Sequence, residues 1–213
     1  LKPTQLIKID GKVMAIAFMS NAQHLFYRTD ILAKAGVQPP KTYEEVLATA
    51  KAIRAAGIMQ HPFALNTKTG WNLAEEFINM NMGMGGSFFK PGTAEPAINS
   101  EAGVKALNML KELMAYSNPD FLTYDSNATQ ALWEAGKLAL ATMWGSRAGA
   151  ILDDKGSTPE VVNATAVAAA PTVAGGSIPA TTLWWDGFVI AKNASNADAE
   201  ASFRAMMNGL SAK

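Results

Sequence analysis

Short apolar runs alternate along this chain with signals for the start of a helix, and this alternation constrains the fold more than any other feature. Residues 25–27, 63–65 and 138–144 have the length and composition of buried strands. Between them, Thr42 and Glu45 form a capping box, and Ser100 precedes a stretch with helical spacing. Strands that alternate with helices are typical of α/β proteins. The sequence therefore predicts an α/β fold.

Two further segments lead to specific predictions about burial. Residues 6–18 contain two short apolar runs separated by Asp10-Gly11, a turn pair typical of β-hairpins. The second run, residues 13–18, is almost continuously apolar, which predicts a strand buried on both faces. A later helix is predicted to begin at Trp71 and to bury a stripe at helical spacing, formed by Leu73, Phe77 and Met80.

Composition excludes several classes of function. The 18 basic and 18 acidic side chains cancel, so the chain lacks the charge expected of a protein that binds nucleic acid or an anionic membrane. The absence of cysteine removes thiol chemistry and cysteine-based zinc sites, and two distant histidines argue against a histidine-rich metal site. We therefore predict no cofactor. No apolar run approaches the about 20 residues of a spanning helix. The chain opens on Leu1 without a signal peptide, which predicts a processed chain or an internal piece of a longer one.

No arrangement of residues predicts catalysis. Glu75 and Glu76 are adjacent on the predicted helix and point in different directions, whereas Asp153 and Asp154 lie in a polar loop where we expect both to be solvated. Glycoside hydrolysis needs two carboxylates that converge at about 5–9.5 Å. The glycines at 83, 85 and 86 end a helix instead of opening one, so they predict a turn and not a phosphate site.

The most unusual stretch is Trp184-Trp185-Asp186-Gly187, followed by a strand-like run at residues 188–191. Successive residues of an extended chain point to opposite faces, so one indole can pack inward while the other lines a cleft beside the carboxylate. An aromatic platform next to a carboxylate suits a polyhydroxylated ligand. The alternative is that both indoles are core residues and that Asp186 caps a turn.

Aromatic, amide and charged side chains fall in loops or at the ends of elements, where the edge of an α/β sheet can form a crevice. Trp144 ends a predicted buried strand and is equally well explained as a core residue, and Arg147 has the alternative of a surface salt bridge. Trp133, in the middle of a helix, is expected in the core. The candidate ligand-binding residues are Asn21, His24, Trp71, Asn72, Trp144, Arg147, Trp185 and Asp186.

Several segments together resemble the extracellular solute-binding proteins of ABC sugar importers, the maltose-binding-protein-like family. The most specific is a strand followed by Tyr27-Arg28-x-Asp30 and then by Pro39-Pro40-x-Thr42-x-Glu44-Glu45. The resemblance spans essentially the whole chain, through residues 10–17, 25–32, 36–45, 98–107 and 188–196.

The resemblance implies a periplasmic-binding-protein-like fold of type II, with two α/β lobes that close over a ligand. It implies that residues 1–20 are strands of lobe one and the first hinge crossing, that 21–183 form lobe two, and that 184–213 return to lobe one. It further implies that this chain lacks the first part of lobe one and its C-terminal helices. Exposed strand edges would then favour an edge-strand dimer of the truncated chain.

The family also implies a function and a location. We expect a protein without catalytic activity that captures a sugar or polyol in the cleft between its lobes and delivers it to the membrane subunits of an ABC permease. It would be periplasmic or extracellular, associated with the membrane through that transporter. Two alternatives stay open: a glycosidase-like α/β enzyme, and a binding protein for a non-sugar solute such as a polyamine or ferric iron. The four scattered tyrosines argue against iron.

The resemblance transfers unevenly to individual residues. Asn21 falls where relatives place a polar ligand contact after the first crossing strand, and Trp71-Asn72 falls in the family's stacking region. In the turn after Trp144, relatives often have a tryptophan at the position that Arg147 occupies here. This departure indicates a ligand with an acidic group or many hydroxyls, because a guanidinium offers a fork of donors. Trp185 and Asp186 fall on the second crossing.

Overall fold

The computed structural model describes residues 2–3, 6–153 and 155–211. Asp154 lies outside the described residues, so the expectation for the polar loop concerns Asp153 alone. The chain divides into two compact units. The smaller unit comprises the chain up to Asn21 together with the chain from Leu183 onward, and the larger one spans Ala22–Thr182.

The described part of the chain contains seven strands and eight α-helices. The predicted α/β class is confirmed. In chain order they are β1 (Leu6–Ile9), β2 (Lys12–Asn21), β3 (Gln23–Arg28), α1 (Thr29–Ala35), α2 (Tyr43–Ala55), β4 (Phe63–Ala64), α3 (Trp71–Gly83), α4 (Glu101–Met114), α5 (Ser126–Glu134), β5 (Leu140–Trp144), α6 (Ala148–Ile151), α7 (Pro159–Ala164), β6 (Thr165–Ala169), β7 (Trp184–Phe188) and α8 (Asn196–Gly209).

The smaller unit contains an antiparallel sheet in the order β1-β2-β7, together with α8. The predicted hairpin is confirmed, and Asp10 and Gly11 adopt positive φ angles of 49° and 76° that suit a tight hairpin turn. The prediction that β2 is buried on both faces is wrong, because only Ile16 within it is buried. Among the described residues of this unit, α8 is the only helix available to cover a sheet of three strands.

The strand near the C-terminus begins earlier than predicted. The aromatic-acid stretch is itself the strand, β7, which ends at Phe188, so the strand predicted at residues 188–191 is displaced. The backbone of β7 pairs with that of β2, with Trp184 opposite Asn21 and Asp186 opposite Met19. This pairing explains the displacement, since ladder hydrogen bonds hold these polar and bulky residues extended.

The larger unit is built on a mixed sheet in the order β4-β5-β3-β6. The pair β4–β5 is parallel, and β3 is antiparallel to both of its neighbours. All five residues of β5 are buried, as expected of a central strand covered on both faces. Trp133 of α5 is also buried, and its Nε1 donates to Thr165 Oγ1 at 3.0 Å, which confirms its predicted place in the core.

Local signals in the sequence set several helix ends correctly. Thr42 and Glu45 form the predicted capping box, in which the Glu45 amide donates to Thr42 Oγ1 at 3.1 Å. Gly36 ends α1 in the left-handed conformation, with φ 68°. The N-cap of α8 is Ser195, whose hydroxyl accepts from the Asp198 amide.

The buried face of α3 differs from the predicted apolar stripe. Met80 is buried as expected, but Leu73 and Phe77 are only half-buried. The remaining buried residues of α3 are all polar or charged: Glu75, Glu76, Asn79 and Asn81. Because burial of an unpaired polar group costs about 1–3 kcal/mol, such a face needs partners in the neighbouring elements.

Glu76 has such partners. Its Oε1 accepts from the Gln23 side chain at 3.0 Å and from the Asn66 backbone amide at 3.2 Å. Burial raises the pKa of the Glu76 carboxyl from 4.5 to about 8, although these hydrogen bonds act in the opposite direction, and the neighbouring Glu75 adds to the rise. Both donors reach the same oxygen, so the proton of the neutral carboxyl belongs on Oε2.

This titration predicts how stability depends on pH. The unfolded chain releases the Glu76 proton near pH 4.5, whereas the folded chain keeps it until about pH 8. The contribution of Glu76 is therefore fully present below pH 4.5 and is lost as pH rises to about 8, by at most about 1.4 kcal/mol per pH unit. Glu76→Gln cannot titrate, so the free energy of unfolding of the variant should rise relative to wild type between about pH 5 and 8.

Urea unfolding followed by tryptophan fluorescence measures this difference. The matched control is Glu101→Gln, which changes an exposed glutamate whose pKa is lowered by Lys105. A lowered pKa affects stability only in the acidic range, so this control should follow the wild-type pH dependence above about pH 5. Parallel curves for wild type and Glu76→Gln would contradict the prediction.

Candidate ligand-binding site

Two tryptophans of the larger unit form a stacked pair. Trp71 is the first residue of α3 and Trp144 is the last residue of β5. Their ring centroids are 6.4 Å apart and their planes differ by 21°, an offset stack. Trp144 is 6% exposed whereas Trp71 is 51% exposed. Trp144 is thus a largely buried support, and Trp71 presents aromatic surface outward.

Polar side chains with unused hydrogen-bonding capacity lie on the same helix and in the loop before it. Buried side-chain atoms of Asn66 (Nδ2 and Oδ1), Asn72 (Oδ1) and Glu75 (Oε1) have no hydrogen-bond partner among the described residues. Trp71, Asn72 and Glu75 follow the three- and four-residue spacing that places side chains on one helix face. Since orphaned buried polar atoms are rare in proteins, these atoms are well suited to a ligand that carries hydroxyls.

The hydrogen bonds of Glu76 connect these polar atoms to the tryptophan pair. Gln23, which donates to Glu76, lies opposite Trp144 in the β3–β5 ladder. The Asn66 amide donates to the same carboxyl oxygen. One buried carboxyl therefore joins the loop at Asn66, the middle of α3 and the end of β3 next to Trp144.

His24 has a structural role in this region. Its Nδ1 donates to the Ala22 carbonyl at 3.0 Å, because a carbonyl can only accept. A Cβ added at Gly145 would lie 2.9 Å from this Nδ1, so only glycine fits the turn that follows β5. The imidazole thus packs against the backbone that leaves Trp144.

Arg147 is held by α5. Its Nη1 donates to Asn127 Oδ1 at 2.8 Å and to Gln130 Oε1 at 3.1 Å. Both of these partners are neutral amides. The surface salt bridge considered as an alternative would have needed an acidic partner. Their hydrogen bonds fix the guanidinium close to the turn after β5.

The other three predicted residues belong to the smaller unit. Asn21 lies opposite Trp184 at one end of the β2–β7 pair. Trp184 Nε1 donates to Asp186 Oδ1 at 3.1 Å, as expected for residues that share one face of a strand. On the opposite face, the Trp185 ring covers Gly187 so closely that a Cβ there would overlap it. Both indoles are half-buried, and Asp186 lies within the strand, so Asp186 does not cap a turn.

Sequence reasoning missed Glu75 and Asn66. Glu75 was considered only as a catalytic carboxylate, and Asn66 was not singled out. The signal was present in the sequence, because Glu75 follows Asn72 by three residues and Trp71 by four. Spacing alone does not reveal that this face is buried.

The part of the chain that the structure describes contains neither a metal-binding cluster nor a membrane-spanning helix. No three or more His, Asp or Glu side chains converge there on a point where a metal ion could bind. Nor do its helices include one with both the length and the apolar composition needed to cross a bilayer.

The chain matches the profile of a protein family over almost its whole length. The family is described as "Bacterial extracellular solute-binding protein", and the match covers residues 4–208. A probable ABC transporter-binding protein of Deinococcus radiodurans is 29% identical over 192 residues, 87% of this chain and 44% of that protein. The mannitol-binding protein of Pseudomonas aeruginosa is 26% identical over 170 residues, 78% of this chain and 38% of that protein.

A solved structure has the same fold. It is an ABC transporter solute-binding protein from Agrobacterium radiobacter in complex with ribitol, 27% identical to this chain, with a TM-score of 0.83. The alignment covers 98% of this chain and 52% of that one. This chain therefore spans about half the solved structure and less than half of the two curated relatives. The fold is periplasmic-binding-protein-like, type II, as predicted, and the chain belongs to the bacterial extracellular solute-binding protein family.

Proposed function

We propose that the full-length protein is the substrate-binding component of an ABC importer, and that it captures a neutral carbohydrate, a sugar or a polyol, for delivery to a membrane permease. One observation carries this proposal: Trp71 is exposed over Trp144, and unpartnered polar atoms of Asn66, Asn72 and Glu75 lie on the same helix and in its preceding loop. Such a protein acts in the periplasm or at the cell surface, and it meets the membrane through its transporter.

The chemistry of the site matches a polyhydroxylated ligand. The C–H face of a sugar or polyol can stack on the Trp71 indole. Its hydroxyls can donate to Glu75 Oε1 and Asn72 Oδ1, while the Asn66 amide can both donate and accept. The ribitol complex of the solved relative and the name of the mannitol-binding relative support a ligand of this class.

Charge favours a neutral ligand over an anionic one. Glu75 Oε1 on α3 is a buried carboxyl oxygen without a hydrogen-bond partner among the described residues, so a phosphate or carboxylate placed there would bring two acceptor-rich groups together. Arg147, which the sequence offered as a partner for an acidic group, is engaged by Asn127 and Gln130. Of the two ligand types that Arg147 indicated, we therefore favour the one with many hydroxyls.

Binding would act by population shift. We take the two compact units to be the lobes that the family resemblance implied. A ligand with higher affinity for the closed form shifts the protein toward that form by the difference in its affinities for the two states. Asn21, Trp185 and Asp186 are the candidates for ligand contact in the smaller unit. Capture and release need no chemical step, so we expect no turnover of the ligand.

One prediction for the ligand site concerns Trp71. Ribitol, D-mannitol or maltose should raise the melting temperature of the full-length protein, since a ligand at about 100 times its Kd adds about 2.7 kcal/mol. Trp71→Ala should weaken binding by about tenfold or more, because it removes the stacking surface. The control, Phe89→Ala, removes an aromatic ring that is 54% exposed elsewhere in the same unit and should leave affinity unchanged.

If a carbohydrate stabilises the protein and binds Trp71→Ala with unchanged affinity, the proposed function stands but the proposed site is wrong. If no sugar or polyol stabilises the protein, the proposed ligand class is wrong. A turnover assay on a glycoside panel checks the enzyme alternative in the same samples.

Another prediction for the ligand site concerns Glu75 and the charge of the ligand. Glu75→Gln keeps the shape of the side chain but replaces one acceptor oxygen with a donor. It should weaken binding of the neutral polyol by about tenfold, the effect of one hydrogen bond. Wild type should discriminate against sn-glycerol 3-phosphate, and calorimetry measures both effects. Glu112→Gln on the exposed face of α4 is the matched control, and tighter binding of the phosphate ester by wild type would contradict the prediction.

A further inference from the structure

A directional chain of hydrogen bonds crosses the larger unit. Thr182 Oγ1 donates to Asn79 Oδ1 at 2.7 Å, and Asn79 Nδ2 donates to Gln23 Oε1 at 3.0 Å. Gln23 Nε2 in turn donates to Glu76 Oε1 at 3.0 Å. We call these four residues the clasp. Each amide donates through its nitrogen and accepts through its oxygen, so reversal of either amide would break two bonds.

The clasp is buried and is reinforced through the backbone. Gln23, Glu76 and Asn79 are all at least 97% buried. The backbone amide of Gln23 also donates to Thr181 Oγ1 at 2.9 Å. Thus the first residue of β3 is attached to residues 181–182 twice, once through its backbone and once through its side chain and Asn79.

The clasp lies at both positions where the chain passes between its two units. The chain enters the larger unit between Asn21 and Ala22 and leaves it between Thr182 and Leu183. Gln23 follows the first passage by two residues, and Thr182 immediately precedes the second. The clasp attaches both segments to α3, the helix that also bears Trp71, Asn72 and Glu75.

Apart from the clasp and the Gln23 amide, the hydrogen bonds of residues 181–182 within the described part of the chain are local: the Thr181 amide donates to the Pro179 carbonyl at 2.9 Å, and Thr181 Oγ1 donates to the Thr182 carbonyl at 3.3 Å. Ala180 is buried, and its amide donates to the Pro171 carbonyl at 2.9 Å. Beyond Ala180, both threonines line a cavity of about 700 Å³ that Asn79 also borders. A segment with a cavity on one side makes fewer packing contacts, so its position depends on hydrogen bonds.

We propose that Gln23, Glu76, Asn79 and Thr182 are positioning residues that fix both passages of the chain onto α3 and so couple the ligand site on α3 to the hinge. This inference rests on the proposed function, because it assigns a role in ligand-driven closure. A ligand that contacts Trp71, Asn72 or Glu75 acts on α3, and the clasp transmits any resulting shift of α3 to both passages. Without the clasp, ligand contact and hinge geometry become independent.

The test compares Thr182→Val with a matched control in the full-length protein. Thr182→Val keeps the side-chain shape, removes the hydroxyl and leaves Asn79 Oδ1 without its donor. The control is Thr165→Val, which likewise replaces a hydroxyl with a methyl group but lies outside the clasp. The Thr165 hydroxyl donates to the Val161 carbonyl and accepts from Trp133 Nε1. Thr182→Ser retains the hydroxyl and should restore wild-type behaviour.

Two quantities are measured: hydrogen exchange of the Gln23 amide, and affinity for ribitol. In Thr182→Val we expect exchange of this amide to be about tenfold faster and ribitol affinity about tenfold lower, the effect of one lost hydrogen bond. Thr165→Val should lower the melting temperature without changing either quantity. Thr181→Val, which removes the acceptor of the Gln23 amide, should reproduce the faster exchange.

The two measurements separate this proposal from the proposed function. Wild-type exchange in both Thr182→Val and Thr181→Val would overturn the clasp, whether or not ribitol binds. Equal losses of affinity in Thr182→Val and Thr165→Val would overturn the coupling, because the effect would then be general. If wild type binds no carbohydrate at all, the proposed function fails, and the exchange result still decides whether the clasp holds the two passages.

Discussion

The arrangement of the larger unit depends on a buried carboxyl that has no cationic partner among the described residues. Glu76 lies inside the unit at 2% exposure and forms its hydrogen bonds with a backbone amide and a glutamine side chain. Because isolated buried charge is unfavourable, the carboxyl keeps its proton at neutral pH and its pKa is raised to about 8. The neutral group joins α3, β3 and the loop at Asn66, which are the elements around the candidate ligand site.

In the two proposals above, one helix has two roles. The first turns of α3 would present Trp71, Asn72 and Glu75 to a ligand, and its next turn contributes Asn79 to the hydrogen bonds proposed to hold both passages of the chain. These two proposed roles would account for the polar buried face of α3. An apolar face would pack as well, but it could neither meet the hydroxyls of a sugar nor fix the direction of two amides. One helix would thus serve both ligand binding and hinge position.

Local chemistry explains which parts of the fold could be predicted. The Asp10-Gly11 turn and the capping box of Thr42 and Glu45 depend on neighbours within four residues, and both were predicted correctly. Burial depends on distant partners, so the predictions for the faces of β2 and α3 were wrong. For the site, the Trp71, Asn72 and Trp144 cluster contains predicted residues. Glu75 and Asn66 were missed, because their unpartnered atoms are evident only once the surrounding elements are in place.

In the proposed binding mode, the exposed indole stacked on Trp144 is the platform on which a carbohydrate binds. Nuclear magnetic resonance of the full-length protein with ¹⁵N-labelled indoles, titrated with ribitol and D-mannitol, observes this contact. We expect the Nε1 resonances of Trp71 and Trp144 to shift with saturation, while that of Trp133, buried in the core and hydrogen-bonded to Thr165, stays in place. Saturable binding that leaves the Trp71 and Trp144 resonances unchanged would contradict it.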